Sequence, residues 1–458
     1  MAAEDVDAVV VGLGPGGEDV AGRLAAAGLD VVGVDKRLVG GECPYFACIP
    51  TKMMVRGAGV LGEARRVPEL AGSAQVRPDW TPVADRIRGE ATSGWDDTPA
   101  VQRLEDGGVR FLRGTGRISA PGEITVGSDD GERVLRARRG IVLNPGTDPV
   151  VPPIDGLAGT PYWTNREAVA TRDVPESLLV LGGGPVGLEF AQLFRRFGAE
   201  VAVVESGPHV LSRGEPEAGS TVEEVLRAEG LRVETGAKIQ RVSHDGRGFT
   251  SELSSGDTIR TAQLLVATGR RPDLAALGAG AIGLDENAAT VPVDEHMRAA
   301  DGVWAIGDVT GHGAFTHTSV YQSRIAASDV LGDRRETADY RAMPAVTFTD
   351  PEVAQVGSTE QQARELGADV RTAVTSLPAS PRGWIHKAGN EGLIKLVADA
   401  RRGVLVGATA VAPSGGEVLG ALAVAVHGEV GIDQLRRMIF AYPTFHRAIE
   451  AALGALEA

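Results

Sequence analysis

The sequence predicts an α/β fold made of two similar units and a C-terminal α+β domain. The first observation is a duplication, because an apolar run, a glycine-rich turn, a helical pattern and a second apolar run occur at residues 6–35 and again at 178–205. The second is a change of pattern after about residue 340, where alternating strands are followed by helical segments. Repeated units of the first kind are typical of doubly wound parallel sheets, and the tail reads as a separate domain.

Both copies contain a G-x-G-x-x-G turn with an acid 23 positions after its first glycine. The residues are Gly12, Gly14, Gly17 and Asp35 in the first copy and Gly182, Gly184, Gly187 and Glu205 in the second. A lone motif of this kind could be a tight turn, but here each stands between a buried-strand pattern and a helix, as a Rossmann-like dinucleotide-binding unit requires. The glycines let the backbone approach the pyrophosphate, and the acid accepts hydrogen bonds from the ribose. Two copies predict two dinucleotides.

Three further apolar runs, at 139–149, 262–273 and 302–311, end in turns that contain glycine. This pattern is typical of parallel strands whose carboxyl ends face a ligand. These runs therefore extend the two predicted sheets.

Composition limits the partners of the chain. Its 458 residues include 46 basic and 61 acidic side chains, so the formal net charge is −15. Because nucleic acid is bound by a basic surface, this balance argues against such a partner. No apolar run reaches the roughly 18–20 residues of a membrane helix, and the acidic start is unlike a signal peptide. We expect a cytoplasmic protein that does not bind a membrane.

Both cysteines of the chain lie between Gly40 and Lys52, directly after the first unit. In one continuous helix the Cα atoms of residues i and i+5 are roughly 8–9 Å apart, beyond the ~7 Å limit for a disulfide. A bond therefore needs Cys43 in a non-helical lead-in to the helix of Cys48, with Pro44 in the first turn. Inert core thiols are the alternative. Zinc is disfavoured because no second pair completes four ligands, so we expect a redox pair and no metal site.

Several independent motifs together resemble one enzyme family. Besides the two glycine turns, they are GGxCxxxxCxPxK at 40–52, VATGRRPD at 266–273, AIGDVTG at 305–311 and PAVTFTDPEVAQVG at 344–357. From residue 6 to 450 the chain resembles the FAD-dependent pyridine nucleotide-disulfide oxidoreductases, the group of dihydrolipoamide dehydrogenase, glutathione reductase and mercuric reductase. The resemblance implies that 1–150 with 271–340 bind FAD, that 151–270 bind NAD(P)H and that 341–458 form the interface of a homodimer.

The same resemblance assigns roles to single residues. Asp308 would hold the ribityl and phosphate region of FAD, Cys48 would face the flavin, and Cys43 would be the interchange sulfur that meets the substrate. Further cofactor-binding positions expected in the glycine turns are Gly41, Gly146 and Gly269. The turn Asn144-Pro145-Gly146-Thr147 departs from the family's ATGS-like sequence, and we expect FAD binding to survive this change.

Lys52 and Glu189 also match family positions and have a physical rationale. An ammonium beside the flavin and a thiolate favours negative charge on both, and a carboxylate beside the ammonium keeps it charged and oriented. The alternative is a surface lysine and a glutamate on a helix face. We expect both residues to be catalytic.

The C-terminal region departs from the family. Where relatives have His-Pro-Thr-x-x-Glu, this chain has Tyr442-Pro443-Thr444-Phe445-His446-Arg447. A phenol with a pKa near 10 cannot shuttle protons at neutral pH as an imidazole near 6.5 can. We expect Tyr442 to have an active-site role, with interface packing as its alternative, and His446 to be a helix-surface residue.

The sequence therefore predicts an oxidoreductase that passes electrons from NADH through FAD and a Cys43–Cys48 disulfide to a disulfide or another small acceptor. A quinone or metal-ion reductase and a low-turnover redox sensor are the alternatives, and the missing histidine favours these two. NADH is preferred to NADPH because the carboxylate of Glu205 would repel a ribose 2′-phosphate.

Overall fold

The computed structural model describes residues 3–456 of the chain. The strands are β1 (Glu4–Val11), β2 (Val31–Asp35), β3 (Val109–Arg113), β4 (Thr115–Ala120), β5 (Glu123–Ser128), β6 (Gly131–Leu143), β7 (Asp148–Pro149), β8 (Ser177–Leu181), β9 (Glu200–Val204), β10 (Arg232–Glu234), β11 (Ile239–His244), β12 (Phe249–Leu253), β13 (Thr258–Thr261), β14 (Gln263–Val266), β15 (Arg270–Arg271), β16 (Arg298–Ala300), β17 (Val303–Ala305), β18 (Pro344–Thr347), β19 (Glu352–Gly357), β20 (Val370–Ser376), β21 (Leu393–Asp399) and β22 (Val404–Ala412).

The helices are α1 (Pro15–Ala26), α2 (Glu42–Tyr45), α3 (Cys48–Leu70), α4 (Thr81–Arg86), α5 (Thr98–Asp106), α6 (Asn165–Ala170), α7 (Pro185–Arg196), α8 (Pro216–Ala228), α9 (Leu274–Leu277), α10 (Thr316–Val330), α11 (Glu360–Glu365), α12 (Pro381–His386), α13 (Gly415–His427), α14 (Ile432–Arg436) and α15 (His446–Ala455). Ile87–Ala91 form a π-helical turn, and Ala279–Ile282 and Gly307–Thr310 form 3₁₀ turns.

The chain divides into two compact units. The first contains the described residues up to Thr51, Asp85–Val150 and Arg270–Asp339. Its main sheet has the order β16-β17-β6-β1-β2-β3, and β6 continues into an antiparallel meander with β5 and β4. The pairs β1–β2, β1–β6, β2–β3 and β6–β17 are parallel. The central strands β1 and β2 are mostly buried and apolar, as is usual for parallel sheets.

The second unit contains Lys52–Ala84, Val151–Gly269 and the described residues from Tyr340 onward. Its parallel sheet has the order β10-β9-β8-β14, and β11-β12-β13 form a small antiparallel sheet. A third, antiparallel sheet has the order β18-β19-β22-β21-β20. The apolar faces of α13 and α15 contribute to the core of this third sheet through side chains such as Leu422 and Leu453.

A lysine is buried in the second unit. The ammonium of Lys395 lies 2.8 Å from carboxylate oxygens of both Glu215 and Glu217 and 3.1 Å from Glu360. Burial by itself would lower the pKa of Lys395, but the three carboxylates raise it. The positive charge of Lys395 is therefore compensated by the three carboxylates, and we interpret this cluster as structural.

The α/β fold with a C-terminal α+β region is confirmed, and each of the three extra apolar runs contains strands, namely β6 with β7, β14 with β15, and β17. The finer division into three domains stays a prediction. Within residues 3–456, no helix is long and apolar enough to cross a membrane.

Candidate active site

The two glycine turns have the same packing. A Cβ on Gly17 would lie 2.0 Å from the carbonyl oxygen of Gly12, and a Cβ on Gly187 would lie 2.0 Å from that of Gly182. The first glycines are equally confined, because a Cβ on Gly12 would lie 2.1 Å from the carbonyl oxygen of Asn144. Only a hydrogen at these positions lets the helix start so close to the strand.

The middle glycine of each turn is less closely packed than the first and third glycines. Around Gly184 nothing lies within 4 Å of a built Cβ, and around Gly14 the nearest atom is the side-chain nitrogen of Asn144 at 3.4 Å. Each turn leads into a 12-residue helix that begins with Pro15 or Pro185. Each helix N-terminus therefore adjoins a bare stretch of backbone, the arrangement that accepts a pyrophosphate.

The two acids bind the turns in parallel ways. The carboxylate of Asp35 accepts from the backbone N–H groups of Leu13 and Arg37, both at 2.7 Å. That of Glu205 accepts from Gly183 at 2.7 Å and Gly207 at 2.6 Å. Burial raises the pKa of Asp35 even though these hydrogen bonds favour its charged form. Each carboxylate thus stabilises its own glycine turn through backbone hydrogen bonds, and it lies at the end of the strand where the ribose of a dinucleotide would bind.

The loop after β6 closes the first turn despite its unusual sequence. The Asn144 side-chain amide donates to the carbonyl of Gly12 at 3.2 Å, and Thr147 donates to Asp308 at 2.8 Å. Gly146 has a φ of 67° and open space where a Cβ would be. Gly269, at the equivalent place after β14, has a φ of 130° and is also open.

Cys43 and Cys48 lie on two separate helical segments. Cys43 is within α2 and Cys48 begins α3, so the expectation of a non-helical Cys43 is wrong. The helix is interrupted at Phe46. The Cα atoms of Cys43 and Cys48 are therefore not held at the distance that residues i and i+5 have in one continuous helix. Gly41, whose φ is 68°, allows the segment to approach the first turn, since a Cβ there would lie 2.9 Å from the Cα of Gly14.

The two cysteines are not joined by a disulfide bond in this structure, and their thiols are hydrogen-bonded to each other. This hydrogen bond is the main reason that the pKa of Cys43 is raised, and burial adds to it. The hydroxyl of Thr316, the first residue of α10, lies 3.4 Å from the sulfur of Cys48. Both the hydrogen bond and burial favour the protonated form of Cys43, whose thiol lies within hydrogen-bonding reach of the Cys48 sulfur.

Lys52 and Glu189 form an ion pair in the second unit. The ammonium lies 2.7 Å from Oε2 of Glu189, whose side chain is only 7% exposed. The other oxygen, Oε1, accepts from the backbone N–H of Phe348 at 2.9 Å. The Phe348 ring also lies 4.6 Å from the ammonium. Phe348 thus orients the carboxylate and contacts the cation, and the cation–π contact adds to the ion pair.

Helix α7 holds the Phe348 segment with a stripe of buried polar side chains. Besides Glu189, the amide of Gln192 both donates to the carbonyl and accepts from the N–H of Asp350, each at 2.8 Å. Arg196 pairs with the Asp350 carboxylate at 2.8 Å. The sequence analysis missed Gln192, Arg196 and Phe348. Polar residues at i, i+3 and i+7 of an otherwise apolar helix were the available signal.

Tyr442 lies at the surface of the chain and is 69% exposed. The guanidinium of Arg447 is 5.8 Å from its ring centroid and forms an ion pair with Glu450. His446 is the first residue of α15 and half-buried. Within residues 3–456, the Tyr442 side chain is therefore mostly exposed, with Arg447 beside its ring.

The comparisons with known proteins fit this geometry. The family model described as pyridine nucleotide-disulphide oxidoreductase matches residues 6–325, and the model of that family's dimerisation domain matches residues 343–453. The chain belongs to the pyridine nucleotide-disulphide oxidoreductase family. The resemblance inferred from the motifs is thereby confirmed, and the chain is an FAD-dependent oxidoreductase of a family that uses NAD(P)H.

Relatives of this oxidoreductase cover nearly its whole length. A mercuric reductase of Streptomyces lividans is 32% identical over 97% of this chain and 95% of its own length. A dihydrolipoyl dehydrogenase of Thermus scotoductus is also 32% identical, over 98% and 97%. Among solved structures, the Cu(II) complex of the HOCl-induced flavoprotein disulfide reductase RclA from Escherichia coli superimposes with a TM-score of 0.86 at 26% identity, covering all of both chains.

The residues present fit both cofactors. Each fingerprint turn combines a bare middle glycine, a helix N-terminus and a carboxylate at the adjacent strand end. In the first unit, Asp308 and Thr147 add polar atoms beside the same turn. The first turn would therefore hold FAD and the second a nicotinamide dinucleotide, as the family implies. Among the described residues, no group of three or more His, Cys, Asp or Glu side chains could hold a metal ion.

Proposed function

We propose that this oxidoreductase takes electrons from NADH and delivers them, through the Cys43–Cys48 pair, to a thiol-reactive metal ion, either the soft ion Hg(II) or Cu(II), which is reduced to the soft ion Cu(I). The observation that carries this choice is the pair of hydrogen-bonded thiols, which are the only cysteines of the chain. Thiolates prefer soft metal ions, which favours capture of Hg(II) and favours Cu(I) over Cu(II) once an electron is transferred. With no third ligand grouped around them among the described residues, the thiols would hold such an ion only in passing, as a substrate.

The residues and the cofactor would have the following roles in electron transfer. FAD, when bound, accepts hydride from NADH and supplies electrons to the disulfide. The disulfide takes up two electrons and two protons and becomes the thiols of Cys43 and Cys48. One Hg(II) or two Cu(II) ions then displace the two thiol protons. The two thiolates give up two electrons as the sulfur–sulfur bond between Cys43 and Cys48 forms again, which reduces one Hg(II) to Hg(0) or two Cu(II) to two Cu(I). Lys52, held by Glu189, would favour negative charge at the reacting end of α3.

Tyr442 supports a metal ion over a disulfide as the acceptor. Reduction of a disulfide needs a proton for each departing thiolate, and general acid catalysis of such a step contributes about 10²–10⁴-fold. A phenol is a poor acid at neutral pH compared with imidazole. A small disulfide is the second candidate, because a dihydrolipoyl dehydrogenase is among the similar proteins.

The test is an anaerobic assay of NADH oxidation with Cu(II), Hg(II), oxidised lipoamide and a soluble quinone. We expect two Cu(I), trapped by a chelator, for each NADH consumed, and slow turnover of lipoamide. Cys43→Ser should abolish metal reduction while leaving any direct quinone reduction. Fast lipoamide turnover, or metal reduction that persists in Cys43→Ser, would contradict the proposal.

Tyr442 supplies a second test of the same assignment. Tyr442→His should raise lipoamide turnover by about tenfold or more and leave Cu(II) reduction nearly unchanged, because only the former needs an acid. Tyr442→Phe is the matched control for the loss of the hydroxyl. If Tyr442→His leaves lipoamide turnover unchanged, the side chain has no place in proton transfer.

We further propose that the enzyme works as a homodimer. The dimerisation-domain match covers 343–453, and that region exposes large apolar side chains, with Ile439 99% and Trp384 75% exposed. Sedimentation should give twice the mass of one chain. Ile439→Glu should shift the monomer–dimer equilibrium toward single chains. Leu366→Glu makes the same change at another exposed apolar residue of the domain, and it tests whether any such residue has this effect.

A further inference from the structure

We propose that Trp95 is a positioning residue that holds the Cys43–Cys48 segment so that its two thiols stay in contact. The inference rests on the proposed redox role of the two cysteines. It concerns the first unit alone, where residues 92–97 form a loop after the π-helical turn Ile87–Ala91.

Trp95 contacts the segment between the cysteines at two points. Its indole Nε1–H donates to the carbonyl of Tyr45 at 3.3 Å, and its ring stacks on Phe46 with 6.2 Å between centroids and 22° between planes. Phe46 is the residue at which the backbone breaks between α2 and α3. Trp95 therefore holds the joint that decides how near Cys43 lies to Cys48.

The loop that presents Trp95 is in an unfavourable conformation. Ser93, Gly94 and Trp95 have successive φ values of 49°, 71° and 63°, in the left-handed region that favours glycine. For Trp95 in particular, such a backbone needs compensation from its surroundings. Strained residues of this kind cluster at functional sites, and π-helical turns often occur there too.

Both ends of the loop are fixed. At its start, Thr92 is 1% exposed and its hydroxyl donates to the carbonyl of Ile87 at 3.0 Å. At its end, the Asp97 carboxylate accepts from the N–H of Val39 at 2.7 Å and from Arg113 at 2.5 Å. The indole is thus presented from a rigid base, which is the condition for holding another segment.

The consequence is a redox equilibrium that depends on Trp95. Thiols held in contact have a high effective concentration toward each other, so the disulfide is favoured over the dithiol. Without the stacked ring and the hydrogen bond of Trp95, the backbone at Phe46 can adopt other conformations and the distance between the two sulfurs is no longer fixed. The disulfide then becomes easier to reduce. Trp95→Ala should lower the equilibrium constant for disulfide formation about tenfold, which corresponds to ~30 mV.

The experiment equilibrates FAD-loaded protein anaerobically with mixtures of reduced and oxidised dithiothreitol and counts trapped thiols by mass spectrometry. Two protein thiols give two electrons and two protons to oxidised dithiothreitol, which becomes the dithiol, while one sulfur–sulfur bond forms in the protein. Trp95→Phe keeps a ring and loses the N–H, and should give about a threefold change. Trp95→Phe also provides the test of the proposal if Trp95→Ala does not fold.

Ser93→Gly is the matched control, because it relieves strain in the same loop without touching the cysteine segment. It should leave the equilibrium constant unchanged. Less than a threefold change in Trp95→Ala, or, where that variant does not fold, no change in Trp95→Phe, would overturn the inference, and so would an equal change in Ser93→Gly. If the wild-type protein forms no Cys43–Cys48 disulfide, the proposed function fails instead.

Discussion

Replacing Gly17 by alanine is expected to remove most of the affinity for FAD, whereas replacing Gly22, five residues later in α1, is not. A Cβ at Gly17 would lie 2.0 Å from the carbonyl oxygen of Gly12 and 2.9 Å from the side-chain nitrogen of Asn144. The oxygen is backbone and cannot swing away. To restore an ordinary contact of about 3.5 Å, the start of α1 must move by roughly 1.5 Å.

The size of the effect follows from that displacement. Forcing an extra methyl into a close-packed site costs about 1–3 kcal/mol. The movement also shifts the helix N-terminus and the bare backbone at Gly14 that would face the pyrophosphate. In the free protein the helix start can move to relieve this strain, whereas FAD binding requires it to return to its original position, so the cost is incurred on binding. At about 1.4 kcal/mol for each factor of ten, the dissociation constant for FAD should rise about 5- to 150-fold.

Gly22 provides the matched control within the same helix. Nothing lies within 4 Å of a Cβ built on Gly22, and alanine is favoured over glycine in a helix interior by about 1 kcal/mol. Titration of the FAD-free protein, followed by tryptophan fluorescence, gives both dissociation constants. Unchanged FAD affinity in Gly17→Ala would refute the reasoning that this turn holds the cofactor.

Three further predictions concern single side chains. Glu205→Gln should lower the ratio of kcat/KM for NADH over NADPH about tenfold, and a wild-type preference for NADPH would contradict the assignment. A long-wavelength absorbance band from a Cys48 thiolate beside oxidised flavin should appear in the wild type on two-electron reduction. It should be present before any reduction in Cys43→Ser, which has no disulfide, and absent in Cys48→Ser; a band in Cys48→Ser would place the thiolate elsewhere. Burial raises the pKa of Glu18 from 4.5 to about 7, against the charge of Arg103. The unfolded chain ionises first, so stability should fall as pH rises from 4.5 to 7, by about 2 kcal/mol more in the wild type than in Glu18→Gln; equal melting temperatures throughout would contradict this.

The sequence predicted the parts of the fold that local patterns determine. The spacing of Gly12, Gly14 and Gly17 before Asp35 requires one close-packed turn, and the same pattern recurs around Glu205. The apolar runs after residues 139 and 262 predicted strands because parallel strands are buried on both faces. These features depend on few residues close together in the chain.

Other features could not be predicted because they depend on distant residues. The break at Phe46 lies in a segment that reads as helical, and its partner Trp95 is 49 positions later in the sequence. Phe348 reads as a strand residue, yet its backbone N–H binds Glu189, 159 positions away. Nothing in the local pattern at either end of these contacts indicates the other, so the expectation for Cys43 was wrong and Phe348 was missed.

The state of the Cys43 proton connects the thiol pair with the choice of acceptor. Its hydrogen bond to Cys48 and its burial both raise the pKa of Cys43, so the neutral thiol is the preferred form in the folded protein. A disulfide acceptor needs that proton removed by a base, and the resemblance of the C-terminal motif predicts Tyr442 at the position of the family's histidine. A soft metal ion removes it without a base, because coordination itself deprotonates a thiol. On the proposed function, coordination to the metal ion would therefore take the place of a catalytic base, and turnover would be compatible with a tyrosine at position 442.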